Sequence, residues 1–268
     1  MINCYTSMTA IETPDHNHYF SGTSGLLLPF PNKEYYPAEF RDKSRLTYYG
    51  TLFNSIEINS SFYKIPMPST VQKWSDSVPE NFRFSFKLWR EITHHKDLAF
   101  DPEAVYRFMK SAEQAGNKKG CLLIQFPASI RNSSLRQLTQ LMQHVSLSDP
   151  QQQWKIALEF RHPSWYQEST YELMDQYGAA IVIHDKPGSA SPLTEQKRDF
   201  VYLRFHGPEG DYKGSYTDEF LQEYAGYIKD WNEEGKTVYT YFNNTIGDAL
   251  ENLQTLNSYL SQISVQGF

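Results

Sequence analysis

Short apolar runs alternate with polar, helix-like stretches along almost the whole chain. Eight runs stand out: HYFSGTSG (18–25), SIEINSSF (55–62), RFSFKLWR (83–90), GCLLIQFP (120–127), KIALEFR (155–161), AAIVIHD (179–185), FVYLRFHG (200–207) and TVYTYFNN (237–244). They are rich in β-branched and aromatic residues, as strands are. Helix signals lie between them. Residues 102–116 open on Pro102 and close on Gly116, the usual asymmetry of helix ends. Residues 217–235 have Thr217 as N-cap, Asp218 and Glu219 in the first turn, and Gly235 at the end. Residues 246–263 carry Leu250, Leu253, Leu256 and Leu260 at helical spacing. Only KPGSASPLTEQKRD (186–199) reads as a loop.

Eight strands in strict βα alternation predict an α/β protein, a single (β/α)8 TIM-like barrel with parallel strands and a polar C-terminal face. An open doubly wound sheet is the second choice; it normally has fewer strands, and no GxGxxG follows the first run. No linker divides the chain, so residues 1–18 are expected to be a polar lead-in and 19–268 one barrel domain.

Polarity alternates within the runs. Ile156, Leu158 and Phe160 oppose Ala157, Glu159 and Arg161, and Val201, Leu203 and Phe205 oppose Tyr202, Arg204 and His206. The apolar set should meet the helices and the other set should point into the barrel. The inward set near the C-terminal ends is then Glu57, Asn59, Lys87, Gln125, Glu159, Arg161, Asp185, Arg204, His206 and Asn243. Barrel enzymes keep their sites at that end.

Composition narrows the reading. With 40% hydrophobic residues, 19 tyrosines and 17 phenylalanines, the chain can fill a large core. A net charge of −6 argues against a broad basic surface for duplex nucleic acid. The two cysteines, Cys4 and Cys121, have neither zinc nor redox spacing, so a reducing cytoplasm is expected. The first 20 residues lack the basic and apolar regions of a signal peptide. No run is long enough to span a membrane, and no oligomeric state follows from the sequence.

The inward charges have two readings. They can neutralise one another in a network that closes the barrel. Alternatively, Lys87, Arg161 and Arg204 hold the anionic group of a phosphorylated or carboxylated ligand, the preferred reading. Glu57, Glu159 and His206 would then carry protons in hydrolase, lyase or isomerase chemistry, although catalysis itself cannot be read from spacing. A glycosidase carboxylate pair suits the surrounding cations less well. No cofactor is predicted and no metal ligands are assigned; a divalent ion is a minor alternative, since no HExxH or HxH spacing occurs and cations would oppose it. A nuclease-like phosphodiester site and a noncatalytic barrel with an internal salt network remain as alternatives. The glycine-bearing stretches HGPEGDYKGSY (206–216) and NNTIGDAL (243–250) are either phosphate-holding loops after strands seven and eight or ordinary turns. Trp165 reads as packing and Ser164 as a helix cap.

GTSG (22–25), FNSIEINSSFYKIP (53–66), FRFSFKLWREITH (82–94), LIQFP (123–127), ALEFRHPSW (157–165), YLRFHG (202–207) and VYTYFNNTIGDAL (238–250) together resemble the YecE-like domain-of-unknown-function family. The resemblance implies a TIM-like barrel and no established reaction. It implies family positions at Glu57, Asn59, Tyr63, Lys87, Thr93, His94, Gln125, Glu159, Arg161, His162, Trp165, Arg204, His206, Gly207, Asn243 and Asn244. Leu26 stands where the family tends to carry an aromatic residue after GTSG.

Overall fold

The computed structural model describes residues 18–193 and 197–265. The expected lead-in lies outside them, apart from His18. All eight runs form strands: β1 Tyr19–Thr23, β2 Ser55–Ile58, β3 Arg83–Lys87, β4 Lys119–Phe126, β5 Lys155–Phe160, β6 Ala180–His184, β7 Phe200–Phe205 and β8 Thr237–Phe242. The strands are parallel and lie in the order β1-β8-β7-β6-β5-β4-β3-β2. Around them run α1 Arg45–Leu52, α2 Ser60–Tyr63, α3 Pro68–Asp76, α4 Arg90–Thr93, α5 Pro102–Ala112, α6 Leu135–Ser148, α7 Glu168–Gln176, α8 Asp218–Glu233 and α9 Ala249–Val265. This is a nearly closed TIM-like barrel.

Closure at the β1–β2 seam rests largely on side chains. The two strands share a single bridge, Ser24 to Glu57. Below it, Asn54 accepts from the Ser21 amide at 2.9 Å and donates to the Tyr19 carbonyl at 2.8 Å. The Tyr49 hydroxyl links the Thr23 amide, at 2.8 Å, to the Ser55 carbonyl, at 3.1 Å. Gly22 permits this approach: a Cβ there would lie 2.0 Å from the Ser55 carbonyl oxygen.

Strand polarity divides the core in two, as the alternation predicts. The outer apolar set, with Ile156, Leu158, Phe160, Val201, Leu203 and Phe205, packs against the helices. The inner set comprises Cys121, Leu123, Ala157, Ala180, Val182, Phe200, Tyr202, Tyr239 and Tyr241. Within the barrel the Tyr241 hydroxyl meets Ser55 Oγ at 2.5 Å and Ser85 Oγ at 2.8 Å. Buried hydroxyls are thereby satisfied beside apolar side chains.

Four details depart from expectation. The α5 helix stops at Ala112 and continues as 3-10 turns over Glu113–Lys118, with Gly116 at φ 60°. The run 55–62 ends as a strand at Ile58, and Ser60–Tyr63 turn into α2. The inward residue closing β6 is His184, buried against the His206 ring at 5.7 Å; Asp185 lies one position beyond the strand. The last helix starts at Ala249 rather than 246. No helix among the described residues is long and apolar enough to cross a membrane.

Candidate functional site

Near the C-terminal ends of the strands, the barrel interior changes from apolar to ionic. Arg204, on β7, reaches across to β2 and β5. Its Nε and Nη2 donate to the Glu57 carboxylate at 2.8–3.1 Å, and its Nη1 donates to Glu159 Oε2 at 3.0 Å. All three side chains are essentially fully buried. Glu57 also accepts from the Tyr202 hydroxyl at 2.6 Å and, through a very short contact, from Ser24 Oγ. Burial alone would raise the Glu57 pKa, but the Arg204 charge and these hydrogen bonds reverse it and hold the pKa below its ordinary value. Glu159 is held well below its ordinary value, burial again being outweighed by Arg161 and Arg204. Arg161 Nη2 contacts Glu159 Oε1 directly. Two carboxylates and two guanidinium groups therefore balance.

His206 joins this layer as a neutral ring. Its Nε2 faces two cationic donors, Arg161 Nη2 at 2.7 Å and Arg204 Nη1 at 3.1 Å, so it must present a lone pair. Nδ1 then carries the proton and donates to Asp185 Oδ1 at 3.2 Å. Burial lowers its pKa to about 4, against the pull of Asp185. Asp185 also accepts from the His206 amide at 2.9 Å and from the Tyr216 hydroxyl.

Over this layer opens a cleft of about 700 Å³. Its charged walls are Lys87 at the end of β3, Arg90 opening α4, Arg161 just beyond β5, and Lys186 after β6. No aspartate or glutamate lines it. Gln125, His94 and Ser189 complete the polar lining, while Phe62, Tyr63 and Tyr212 supply aromatic walls. Lys186 is engaged: Nζ donates to the Gly210 carbonyl at 2.5 Å and lies 4.6 Å from the centre of the Tyr212 ring. Lys87 is different. Its side chain is 9% exposed, its Nζ lies 4.1 Å from the centre of the Phe62 ring, and no hydrogen bond or ion pair engages the amine among the described residues. Burial and the Arg204 charge lower its pKa to about 7, against Glu159 and Glu57. Arg161 is also incompletely matched, with buried Nε and Nη1 lacking partners. His94 stands edge-on to Phe62 at 4.9 Å, with Nδ1 2.8 Å from Thr93 Oγ1. Burial, with Lys87 and Arg90, lowers its pKa to about 4.

The sequence-predicted residues thus separate by level. Tyr63, Lys87, His94, Gln125 and Arg161 line the cleft. Glu57, Glu159, Arg204, His206 and Asp185 form the layer beneath, and Asn59 reaches it by donating to Ser24 Oγ at 2.6 Å. His162, Gly207, Asn243 and Asn244 do not line the cleft. His162 caps the turn Pro163–Trp165, its Nδ1 accepting from the Ser164 amide at 3.1 Å. Gly207 has φ 96°, and a Cβ there would strike the Lys213 carbonyl oxygen at 2.2 Å. Asn244 donates to the Gly214 carbonyl at 3.0 Å and to Asn252 at 2.9 Å. The Asn243 amide donates to the Phe205 carbonyl at 2.7 Å.

The loops after β7 and β8 are ordinary turns, not an open anion cradle. Several of their amides are already used. After β7, Gly210 donates to Gly207 at 2.7 Å and Tyr212 to His206 at 2.8 Å. After β8, Ile246 donates to Tyr212 at 3.0 Å, Gly247 to Asn244 at 2.9 Å and Asp248 to Gly214 at 3.2 Å. Trp165 is packing, fully buried and stacked on Phe160 at 4.7 Å. Ser164 instead caps a neighbouring segment, its Oγ accepting from the Asn132 amide at 3.1 Å. Sequence reasoning pointed Tyr202 into the barrel without assigning it to the ion layer, and it missed Ser24 there and Phe62, Arg90, Lys186 and Tyr212 in the cleft. Signals existed for Lys186, which directly follows the strand-end acid Asp185, and for Tyr212, which lies in the glycine-bearing stretch 206–216. Among the described residues, no three or more His, Cys, Asp or Glu side chains are grouped to hold a metal ion.

Comparison with known proteins agrees with the architecture. UPF0759 protein YunF of Bacillus subtilis is 26% identical over 252 aligned positions, covering 81% of this chain and 86% of that protein. UPF0759 protein YecE of Escherichia coli is 26% identical over 158 positions, 56% of each chain. A crystal structure of a DUF72 family protein from Enterococcus faecalis superposes with a TM-score of 0.73 at 22% identity, covering 90% of this chain and 95% of that one. One from Thermotoga maritima gives 0.72 at 25% identity, covering 91% and 99%. Residues 20–266 match the family described as protein of unknown function DUF72. The chain belongs to the DUF72 family, whose barrel fold it shares.

Proposed function

We propose that the cleft at the C-terminal face binds a small ligand through an anionic group, phosphate or carboxylate. One observation carries the reading: four cationic side chains and no carboxylate line the cleft. Lys87 and Arg161 are the desolvated pair and repel each other, each with donors that an anion would satisfy. Arg90 is half exposed beside Glu91, and Lys186 is held by the Gly210 carbonyl. Stability gives little reason for such a wall, since apolar replacements usually serve a fold at least as well. Arg161 and Lys87 are the principal contacts on this reading, with Gln125 and the aromatic walls orienting the remainder of the ligand. Glu57, Glu159 and Arg204 support the cleft from beneath, where their charges are already matched. A long polyanion fits less well, because the chain carries a net charge of −6. The low cysteine content suits a reducing, cytoplasmic setting.

The test is equilibrium unfolding in inorganic phosphate against chloride at matched ionic strength. A bound anion at about 100 times its Kd adds about 2.7 kcal/mol. The wild type should gain this increment, and the Lys87→Met/Arg161→Gln double variant should not. An equal gain in both proteins would mark general salt stabilisation and refute the reading.

A further inference from the structure

The amine of Lys87 has a feature that anion binding alone does not require. A lysine that only holds a phosphate is usually well hydrated or hydrogen-bonded while it waits. Here Nζ is 4.1 Å from the centre of the Phe62 ring, and the side chain is 9% exposed at the end of β3. The surrounding charges are mixed. Arg204 and Arg161 oppose its positive charge, and Glu159 and Glu57 favour it. However, both carboxylates are already engaged by guanidinium groups, and neither lines the cleft. Burial and nearby cations are the two influences that free a lysine lone pair.

We propose that Lys87 is a nucleophile that forms an imine with a small carbonyl compound bearing a phosphate or carboxylate group. The proposal rests on the anion cleft described above, because Arg161 and Arg90 would hold the anionic group while the carbonyl carbon meets Nζ. The Nζ lone pair attacks the carbonyl carbon, giving a carbinolamine. Both amine hydrogens then depart with the carbonyl oxygen as water, and a C=N bond replaces C=O. No oxidant or reductant is required. The pKa of Lys87, lowered to about 7, leaves a large fraction of neutral amine near neutral pH. His94, its pKa lowered to about 4, stands on the same Phe62 ring as an uncharged base for the proton transfers. Phe62 forms the apolar wall that would shield one side of the imine from water.

Pyridoxal 5′-phosphate and pyridoxal, used purely as aldehyde probes, test this with the full-length protein. Each is incubated with the protein and reduced with borohydride, and the modified lysines are located by peptide mass mapping. The expected result is a single dominant adduct at Lys87, formed about tenfold faster with the phosphorylated probe. Inorganic phosphate should slow it, and its rate should rise through neutral pH. Lys87→Arg, which keeps the positive charge and protects folding, should lose the adduct. Labelling spread over surface lysines, with no preference for Lys87 but with phosphate stabilisation intact, would overturn the nucleophile and leave the anion cleft standing. Equal labelling of Lys87 by both probes would overturn the anionic class and the cleft reading together.

Discussion

The ion layer inside the barrel and the cleft above it use the same residue types on neighbouring strand ends, yet their charges are treated in opposite ways. In the layer, Arg204 divides itself between Glu57 and Glu159, and Tyr202, Ser24 and His206 complete the set. Every charge there has a partner at close range. At the cleft, Lys87 lacks a carboxylate partner, and two nitrogens of Arg161 buried in its wall lack acceptors. Arg161 belongs to both levels, paired to Glu159 below and lining the cleft above with a largely buried side chain. A charged residue inside a barrel is therefore not by itself a sign of a site. Unmatched charge facing an open volume is the sign.

That contrast can be broken from either side. The largest effect belongs to Arg204→Met, which strands the buried Glu57 carboxylate, leaves Glu159 with Arg161 alone, and should cost about 3–5 kcal/mol in urea unfolding. Adding Glu57→Gln should recover much of the loss, because the stranded charge disappears while Glu159 keeps Arg161. Arg161→Gln should cost less, roughly 1–3 kcal/mol, since Glu159 retains Arg204. It should nonetheless abolish the response to phosphate.

The pH dependence separates the levels further. His206 has a folded pKa of about 4 against 6.5 for the free side chain, so the unfolded chain binds the proton first. The stability it confers is complete above pH 6.5 and falls toward pH 4, by up to about 1.4 kcal/mol per pH unit. His206→Gln should shallow that acid limb when unfolding free energies are measured across the range. Lys87 has a folded pKa of about 7 against 10.5, so its buried charge is a burden below pH 7. That burden is relieved as pH rises from 7 to 10.5. Lys87→Met should therefore raise stability at pH 6 and remove this alkaline gain. The smallest effect belongs to Tyr63→Ala: at 68% exposed, the side chain should change stability by no more than about 0.5 kcal/mol.

Strand alternation made the barrel legible because each strand carries its own apolar face for the helices, as Ile156, Leu158 and Phe160 do on β5. The same parity placed Glu57, Glu159, Lys87 and Arg204 inside. It could not say which charges pair, because Glu57 and Arg204 are 147 residues apart and meet only through side-chain reach across the closed barrel. Nor did it separate the level of Arg204 from that of Lys87. The cleft walls were partly hidden for another reason. SSFY continues a strand-like composition, but Ser60–Tyr63 wind into a helical turn that brings Phe62 under Lys87. Lys186 and Tyr212 come from loops with no periodic pattern. Asp185 followed neither parity nor loop rules; its position reflects its bonds to His206 and Tyr216.

Calorimetric titration of inorganic phosphate at pH 8, repeated in two buffers of different ionisation enthalpy, tests the central claim most directly. At that pH most Lys87 is neutral, and an anion beside it should raise its pKa and draw in a proton. Saturable binding with uptake of up to one proton per site, the uptake absent in Lys87→Met, is the predicted result. No saturable heat, or binding whose proton uptake survives Lys87→Met, would contradict the account.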